Sequence, residues 1–117
     1  MNTREVETTI MTAAARSLIE SGFVLHVNDG LELVGQRTQD VDQVIRESFT
    51  TGQTLLCVYS KIDPASPSLD NVIPYGWVLF IHGNGIDVLA DSTDNLSAEL
   101  ESALAVAEDL VWKPGHA

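Results

Sequence analysis

Helical and strand-like spacings of apolar residues follow one another in the first third of the chain. Apolar positions recur every three or four residues over 3–21, which predicts an amphipathic helix that ends at Gly22. Apolar and polar residues then alternate over 23–27 and again over 31–33, on either side of the pair Asp29-Gly30. Because Asp-Gly favours tight turns between antiparallel strands, this stretch predicts a β-hairpin.

The middle of the chain predicts a short helix, a buried strand and a long loop. Asp40 and Gln43 match the reciprocal capping pattern, and the apolar stripe behind them predicts a helix over 41–50. Residues 54–60 (TLLCVYS) are mostly apolar without clean alternation, so we expect a central strand with both faces covered. Residues 61–74 contain three prolines, which predicts a long loop without regular structure.

A second hairpin and a third helix complete the predicted elements. Residues 75–82 form the most apolar strand, Asn84-Gly85 supplies a turn, and residues 86–90 alternate as a fifth strand. A helix then begins at Asp94 or Asn95 and ends near Val111, with one apolar and one acidic face. Its apolar face is expected to be buried and comprises Leu96, Leu100, Ala103, Leu104, Ala107, Leu110 and Val111.

These elements predict an α+β fold in the order α-β-β-α-β-β-β-α, with a five-stranded, mostly antiparallel sheet and three helices. Residues 1–113 are expected to form a single domain and residues 114–117 a flexible tail. The two central strands carry apolar residues on both faces, and three helices, one of them short, are too few to cover both. We therefore expect another copy of the chain, as in a homodimer, or a partner to close part of the second face.

Composition excludes several classes of protein. The 117 residues are 44% apolar and 20% charged, which is typical of a globular domain and not of a disordered chain. Apolar runs stay well below the roughly 18 residues of a membrane helix, and the polar N-terminus does not resemble a secretory signal. A single cysteine cannot form a disulfide within the chain, so we expect a reducing, cytoplasmic location.

The net charge of −11 is distributed unevenly, and this is the main functional signal in the sequence. Residues 1–61 hold eight acids and five bases, whereas residues 62–112 hold nine acids and no base. An acidic surface repels nucleic acid and anionic lipid, so we expect no direct nucleic-acid binding, no membrane binding, and a basic protein as partner. A surface that serves only solubility is the alternative. The expected contact residues are Asp91, Asp94, Glu101, Glu108 and Asp109, with apolar contacts from Tyr75 and Trp77.

Few residues have the sequence surroundings that catalysis or metal binding requires. Cys57 lies within an apolar strand and is expected to be structural. The three histidines show none of the spacings of zinc motifs, so we predict no metal site and no cofactor. His82 follows the most apolar strand, where a carboxylate such as Asp87 would orient it as a general base across the hairpin. A simple pairing within the turn is the alternative for His82.

Residues 76–91 (GWVLFIHGNGIDVLAD), followed by a helix rich in Leu and Ala, carry a resemblance to a group of known proteins. The stretch resembles the C-terminal half of small uncharacterised proteins carried by phages and other mobile elements of bacteria. These proteins have no agreed activity, so the resemblance assigns no site residue. It implies a small accessory protein that acts by binding, including binding that blunts a host defence nuclease.

Two functional hypotheses follow from these observations. The leading one is a small acidic, non-enzymatic binding protein whose C-terminal acids meet a basic surface of a partner protein. The alternative is a small ligand-binding domain or enzyme with a pocket under the 61–74 loop. In that case His82 acts as the base, and an aromatic cluster of Tyr59, Tyr75 and Trp77 lines the pocket. A purely structural dimer is a third candidate.

Overall fold

The described part of the chain, residues 2–62, 64–65 and 67–111 of a computed structural model, contains three α-helices and one five-stranded sheet. The class is α+β and the elements follow the predicted order. The helices are α1 (Thr3–Glu20), α2 (Val41–Glu47) and α3 (Ser97–Val111). The strands are β1 (Val24–Asn28), β2 (Leu33–Thr38), β3 (Gln53–Tyr59), β4 (Pro74–Ile81) and β5 (Leu89–Ser92). The predicted tail, 114–117, lies outside the described residues.

The sheet is antiparallel, with the strand order β2-β1-β3-β4-β5, so β3 lies at its centre as predicted. The β1–β2 turn is organised by Asp29, whose carboxylate accepts the backbone N–H groups of Leu31 and Glu32 at 2.8 and 3.0 Å. The bonds from Glu32 and Leu31 hold the pKa of Asp29 below its ordinary value. Side chains alternate between the two faces of each strand, so the pairing aligns them in rows across the sheet.

All three helices pack on one face of the sheet and enclose the main core. Four sheet residues on this face, Leu56, Val58, Val78 and Phe80, are each at most 1% exposed. Full burial of such a side chain stabilises the fold by about 1.5–3 kcal/mol. α3 packs chiefly on α1. The three helices, together with Leu96 directly before α3, contribute to this core Ile10, Met11, Ala14, Ala15, Leu18, Val44, Leu96, Leu100 and Ala103.

The opposite face of the sheet is covered at one end. There the loop after β3 forms a second, smaller cluster that comprises Val24, Tyr59 and Val72, with Cys57, Ile62 and Leu69 around them. Further along the face, Leu55 is half-buried, and Trp77 and Ile81 are each 37% exposed. The expectation that both faces of β3 are covered is therefore wrong for this end of the strand, because the helices all lie on the other side.

α2 ends at Glu47, three residues before the predicted end. Ser48 is already extended, and its hydroxyl donates to the carbonyl of Val44 at 2.8 Å. Phe49 then adopts a φ of 65°, which turns the chain away from the helix axis. The ring of Phe49 stacks on His82, with a centroid distance of 4.3 Å. The early end of α2 therefore coincides with a contact between Phe49 and His82, which are far apart in sequence.

The fifth strand begins at Leu89 and not at residue 86, so this predicted boundary is wrong. Gly85–Asp87 form a short 3₁₀ helix, in which the N–H of Val88 donates to the carbonyl of Gly85 at 3.0 Å. The 61–74 loop likewise contains a 3₁₀ helix, Leu69–Asn71, where no regular structure was expected. None of the helices in the described residues is long and apolar enough to cross a membrane.

Candidate functional site

The acids of α3 lie on the side of the helix that faces away from the core. Leu100 and Ala103 are buried, whereas Glu101 and Glu108 are exposed. Leu104 lies between these two acids, since residues three and four apart are neighbours on a helix. It is 50% exposed, so its predicted burial is wrong. Because Leu100 and Ala103 point into the core, Leu104 is left at the margin of the contact with α1.

A groove of about 330 Å³ follows this margin, and we refer to it as the acidic groove. It is lined by Ile10, Ile86, Asp87, Leu89, Ala103, Leu104, Ala107 and Glu108. Ile10 and Ala103 are buried, whereas Ile86 and Leu104 are 38% and 50% exposed and form an apolar rim. The turn before β5 contributes one carboxylate and α3 another. An apolar surface is thus combined with negative charge from two different elements.

Among the described residues, the carboxylates around the acidic groove have no ion-pair partner. In the part of the chain that the structure describes, no Arg or Lys nitrogen lies within 4.0 Å of a carboxylate oxygen of Asp87, Glu101, Glu108 or Asp109. Three cations instead stack on aromatic rings elsewhere: Arg4 on Phe49, Arg37 on Tyr59 and Lys61 on Phe23. Within the described residues, the negative charge at the acidic groove is therefore not neutralised by ion pairs.

Two of the predicted contact acids lie away from the acidic groove. Asp91 is on β5, directly opposite Leu79 of β4, and its side chain is exposed at the sheet. Asp94 begins the 3₁₀ helix that precedes α3. The structure therefore brings Glu108 to the groove, with Glu101 and Asp109 exposed on the same helix, and leaves Asp91 and Asp94 outside it. Asp87 lines the groove but was not among the predicted partner contacts.

The predicted aromatic cluster does not form. The ring of Tyr75 packs on Phe23 with a centroid distance of 4.8 Å. Trp77 lies opposite Cys57 on the sheet, and Tyr59 stacks beneath the guanidinium of Arg37. No ring contact joins Trp77 to Tyr75 or Tyr59, all of which are described residues. Tyr75 and Trp77 therefore do not contribute to one apolar site, and neither lines the acidic groove.

His82 belongs to a buried row of three polar side chains. Its Nδ1 is 3.4 Å from Oε1 of Glu7, and its Nε2 is 2.7 Å from Oγ1 of Thr54. The orienting carboxylate is therefore Glu7 of α1 and not Asp87. Carboxylate, imidazole and hydroxyl stand in the order of a nucleophilic triad. However, Thr54 is 1% exposed, and the cavities described here are lined by other residues.

Glu7 is the buried residue that sequence reasoning missed. Its Oε2 accepts the N–H groups of both Gly83 and Gly85, each at 2.8 Å, and its side chain is 2% exposed. Gly83 and Gly85 have φ values of 99° and 60°, a region that favours glycine and lets successive N–H groups converge on one anion. The sequence held one sign of this burial: Glu7 lies four residues before Met11 and is therefore on the apolar side of α1.

The titration behaviour of the buried groups agrees with structural roles. Burial lowers the pKa of His82, while the contact with Glu7 raises it and the charge of Arg4 lowers it. Burial also raises the pKa of the Cys57 thiol, which disfavours the reactive thiolate. Among the described residues, no three side chains of His, Cys, Asp or Glu are grouped so that they could hold a metal ion.

The 61–74 loop does not cover His82. The loop joins β4 at its first residue, Pro74, whereas His82 follows the last residue of the same strand. A cleft of about 770 Å³ lies beside the loop and is lined by His26, Gly35, Gln36, Arg37, Ser68 and Leu69. The ring of His26 faces the carbonyl of Gly35, with Nε2 at 3.2 Å. The pocket of the alternative hypothesis is therefore next to His26, and His82 is not part of it.

No protein-family model, curated protein or solved structure matches this chain. The resemblance of residues 76–91 to proteins of phages and mobile elements accordingly stays a prediction. Functional conclusions depend on the geometry of the chain's own residues.

Proposed function

We propose that this chain is a small, non-enzymatic binding protein that engages a basic segment of a partner protein through the acidic groove. The observation that supports this proposal is the combination of an apolar rim, Ile86 and Leu104, with carboxylates from two elements, Asp87 and Glu108. A surface that served solubility alone would not require carboxylates from two different elements to line one groove.

The groove fits a segment in which an apolar side chain stands between Lys or Arg residues. Its volume of about 330 Å³ lies at the lower end of the range for ligand sites, roughly 300–1,000 Å³. The apolar side chain would rest between Ile86 and Leu104, the exposed apolar side chains of the groove. The flanking cations would meet Asp87 on one side and Glu108 on the other.

Charge and apolar contact have different effects in such a complex. Carboxylates on an exposed surface raise the association rate and select the partner, whereas affinity comes mainly from the apolar contact. Glu101 and Asp109 extend the negative field along α3 beyond the groove. Because salt screens exposed charges over about 8–10 Å, binding should weaken as the salt concentration rises.

The biological setting is proposed from the free thiol and from the resemblance of residues 76–91. Cys57 is a free thiol, which fits a reducing, cytoplasmic compartment. A protein that acts by occupying a basic surface also fits the accessory or anti-defence role implied by the resemblance of residues 76–91. On a nucleic-acid-binding partner, such an acidic surface would take the place of phosphates.

The test uses a synthetic helical peptide of Lys and Leu, with its binding followed by fluorescence anisotropy. In one variant the α3 acids are neutralised by Glu101→Gln, Glu108→Gln and Asp109→Asn. The matched control carries the same change in net charge through Glu5→Gln, Glu20→Gln and Glu32→Gln, all of which are exposed residues. We expect the first variant to lose about tenfold in affinity, since each exposed charge pair contributes about 0.2–1 kcal/mol.

The control should bind within about twofold of the wild-type chain if location and not total charge determines binding. Equal losses in the two variants would show that the peptide responds only to net charge. Affinity that ignores both the substitutions and added salt would remove the proposed function.

A further inference from the structure

The turn between β4 and β5 forms one side of the acidic groove. We call residues 83–87 the groove turn, and two of them, Ile86 and Asp87, line the groove. The 3₁₀ helix Gly85–Asp87 is short, and helices of this kind have poorer hydrogen-bond geometry than α-helices. Ile86 is 38% exposed, so side-chain packing secures it only in part. The position of the groove turn therefore depends on how its backbone is held.

Glu7 of α1 holds this backbone. Its Oε2 accepts the N–H groups of Gly83 and Gly85, each at 2.8 Å. Gly85 directly precedes Ile86, so the second bond acts at the residue before the groove lining begins. The Glu7 side chain is 2% exposed, and hydrogen bonds to a charged acceptor are roughly twice as strong as neutral ones. Glu7 thus fixes the first and third residues of the groove turn to α1.

The glycines of the groove turn serve the bonds to Glu7 and not close packing. Among the described residues, a Cβ atom on Gly83 or Gly85 would meet nothing within 4 Å beyond the adjacent residues of the chain. Their φ values of 99° and 60° instead let the two N–H groups converge on one oxygen. The Gly-Asn-Gly sequence is therefore explained by the carboxylate that it binds.

α1 also forms the floor of the acidic groove. Ile10 lies three residues after Glu7, so the two side chains are neighbours on one face of the helix. Ile10 is 1% exposed and lines the groove. The opposite side of the groove, with Leu104 and Glu108, belongs to α3, which packs on α1. Both sides are thus positioned relative to α1, and the contact of Glu7 with the groove turn sets the width between them.

We propose that Glu7 is the positioning residue of the acidic groove, because it holds Ile86 and Asp87 at the distance from α3 that a basic segment requires. This inference rests on the proposed function. Glu7 does not line the groove, so it acts through the groove turn and not by contact with the bound segment. Without its carboxylate, the partner would have to order the groove turn on binding, and this ordering would reduce affinity.

The test measures binding of the Lys-Leu peptide at a temperature at which every variant is folded. Glu7→Ala removes the acceptor of both N–H groups and should lose about tenfold in affinity, since the peptide must then order two side chains of the groove turn. Glu7→Gln keeps one acceptor oxygen and should lose about threefold. A residue that only stabilised the fold would not change the affinity of the folded protein. Glu7→Gln also carries the test if Glu7→Ala does not fold.

Two control variants separate position from charge and from stability. Glu5→Gln makes the same change in charge at an exposed residue of α1. Val24→Ala removes buried apolar contact from the smaller cluster on the other face of the sheet, which lowers stability away from the groove. Both should bind the peptide as the wild type does. Equal affinities of Glu7→Ala and Glu5→Gln, or an equal loss in Val24→Ala, would overturn the proposal.

Amide hydrogen exchange without peptide tests the positioning itself. In Glu7→Ala, the amides of Gly83, Gly85 and Val88 should exchange about tenfold faster relative to those of β3, which report global unfolding. Val88 is included because its N–H donates to the carbonyl of Gly85 at 3.0 Å and therefore follows the 3₁₀ helix. Glu5→Gln and Val24→Ala should leave this ratio unchanged. An unchanged ratio in Glu7→Ala would mean that Glu7 does not fix the groove turn.

The proposed function and the role of Glu7 can fail separately. If the wild type does not bind the peptide while the exchange ratio changes as expected, the proposed function is wrong and Glu7 still positions the groove turn. If the wild type binds the peptide and Glu7→Ala binds it equally well, the proposed function stands and the positioning role is wrong.

Discussion

Replacing Glu7 by Gln tests the contact that ties α1 to the turn after β4. The carboxylate accepts two N–H groups at 2.8 Å from a position that is 2% exposed. A hydrogen bond to a charged group contributes a net 1.5–3 kcal/mol, against about 0.5–1.5 kcal/mol for a neutral one. Glu7→Gln keeps the shape and one acceptor oxygen, so about 1 kcal/mol should be lost per bond, or about 2 kcal/mol of unfolding free energy.

The assay is urea unfolding at neutral pH, followed by circular dichroism. In a thermal melt, the same loss of 2 kcal/mol should lower the melting temperature of a chain of this size by roughly 8 °C. Glu5→Gln is the matched control, two residues earlier on the same helix and exposed, and its effect should stay below about 0.5 kcal/mol. Glu7→Ala should cost more, about 3–5 kcal/mol, because both N–H groups lose their acceptor. A Glu7→Gln variant as stable as Glu5→Gln would refute the reasoning.

Three further predictions concern single side chains. Burial lowers the pKa of His82, so the unfolded chain takes up this proton first and stability falls as the pH drops below about 6.5. His82→Gln should flatten that part of the stability profile in urea titrations from about pH 8 to 5, and an unchanged slope would contradict it. Burial raises the pKa of Cys57, so its reaction with a disulfide reagent at neutral pH should be slower than that of glutathione, and an equal rate would argue against burial. Leu104→Ala should cost less than about 1 kcal/mol of stability, because Leu104 is half exposed, yet weaken peptide binding; unchanged affinity would exclude the rim from the site.

The fold was predictable from the sequence because its signals are local. Gly22 ends α1 through a positive φ, and Asp29 organises the first hairpin through bonds to residues two and three positions away. The apolar run of β3 correctly indicated a central strand. The expectation that three helices leave part of a sheet face uncovered also agrees with the structure, since all three pack on the other face.

The errors concern residues whose environment depends on distant parts of the chain. Glu7 is 76 residues from Gly83, so its place on the apolar side of α1 could indicate burial but not the N–H groups that it accepts. Phe49 leaves α2 and stacks on His82, a contact that the helical spacing of residues 41–50 could not reveal. Leu104 fits the apolar side of α3 on a helical wheel, but the packing of α3 on α1 leaves it exposed.

The acidic groove was missed for the same reason. Helical spacing identified Glu108, but Asp87 and Ile86 were assigned to a strand, and the 3₁₀ helix that turns them towards α3 has no clear sequence signature. Charge counting therefore located most of the acids in the second half of the chain, but not the groove in which two of them lie beside exposed apolar side chains.

The most direct test of binding at the acidic groove is an NMR titration of the isotope-labelled chain with the Lys-Leu peptide at low salt. We expect saturable shifts of the backbone amides of Ile86, Asp87, Leu104 and Glu108, which disappear when the salt concentration is raised. Shifts confined to the sheet face that carries Trp77 and Ile81, or weak shifts spread over all acidic residues without saturation, would contradict a binding site in this groove.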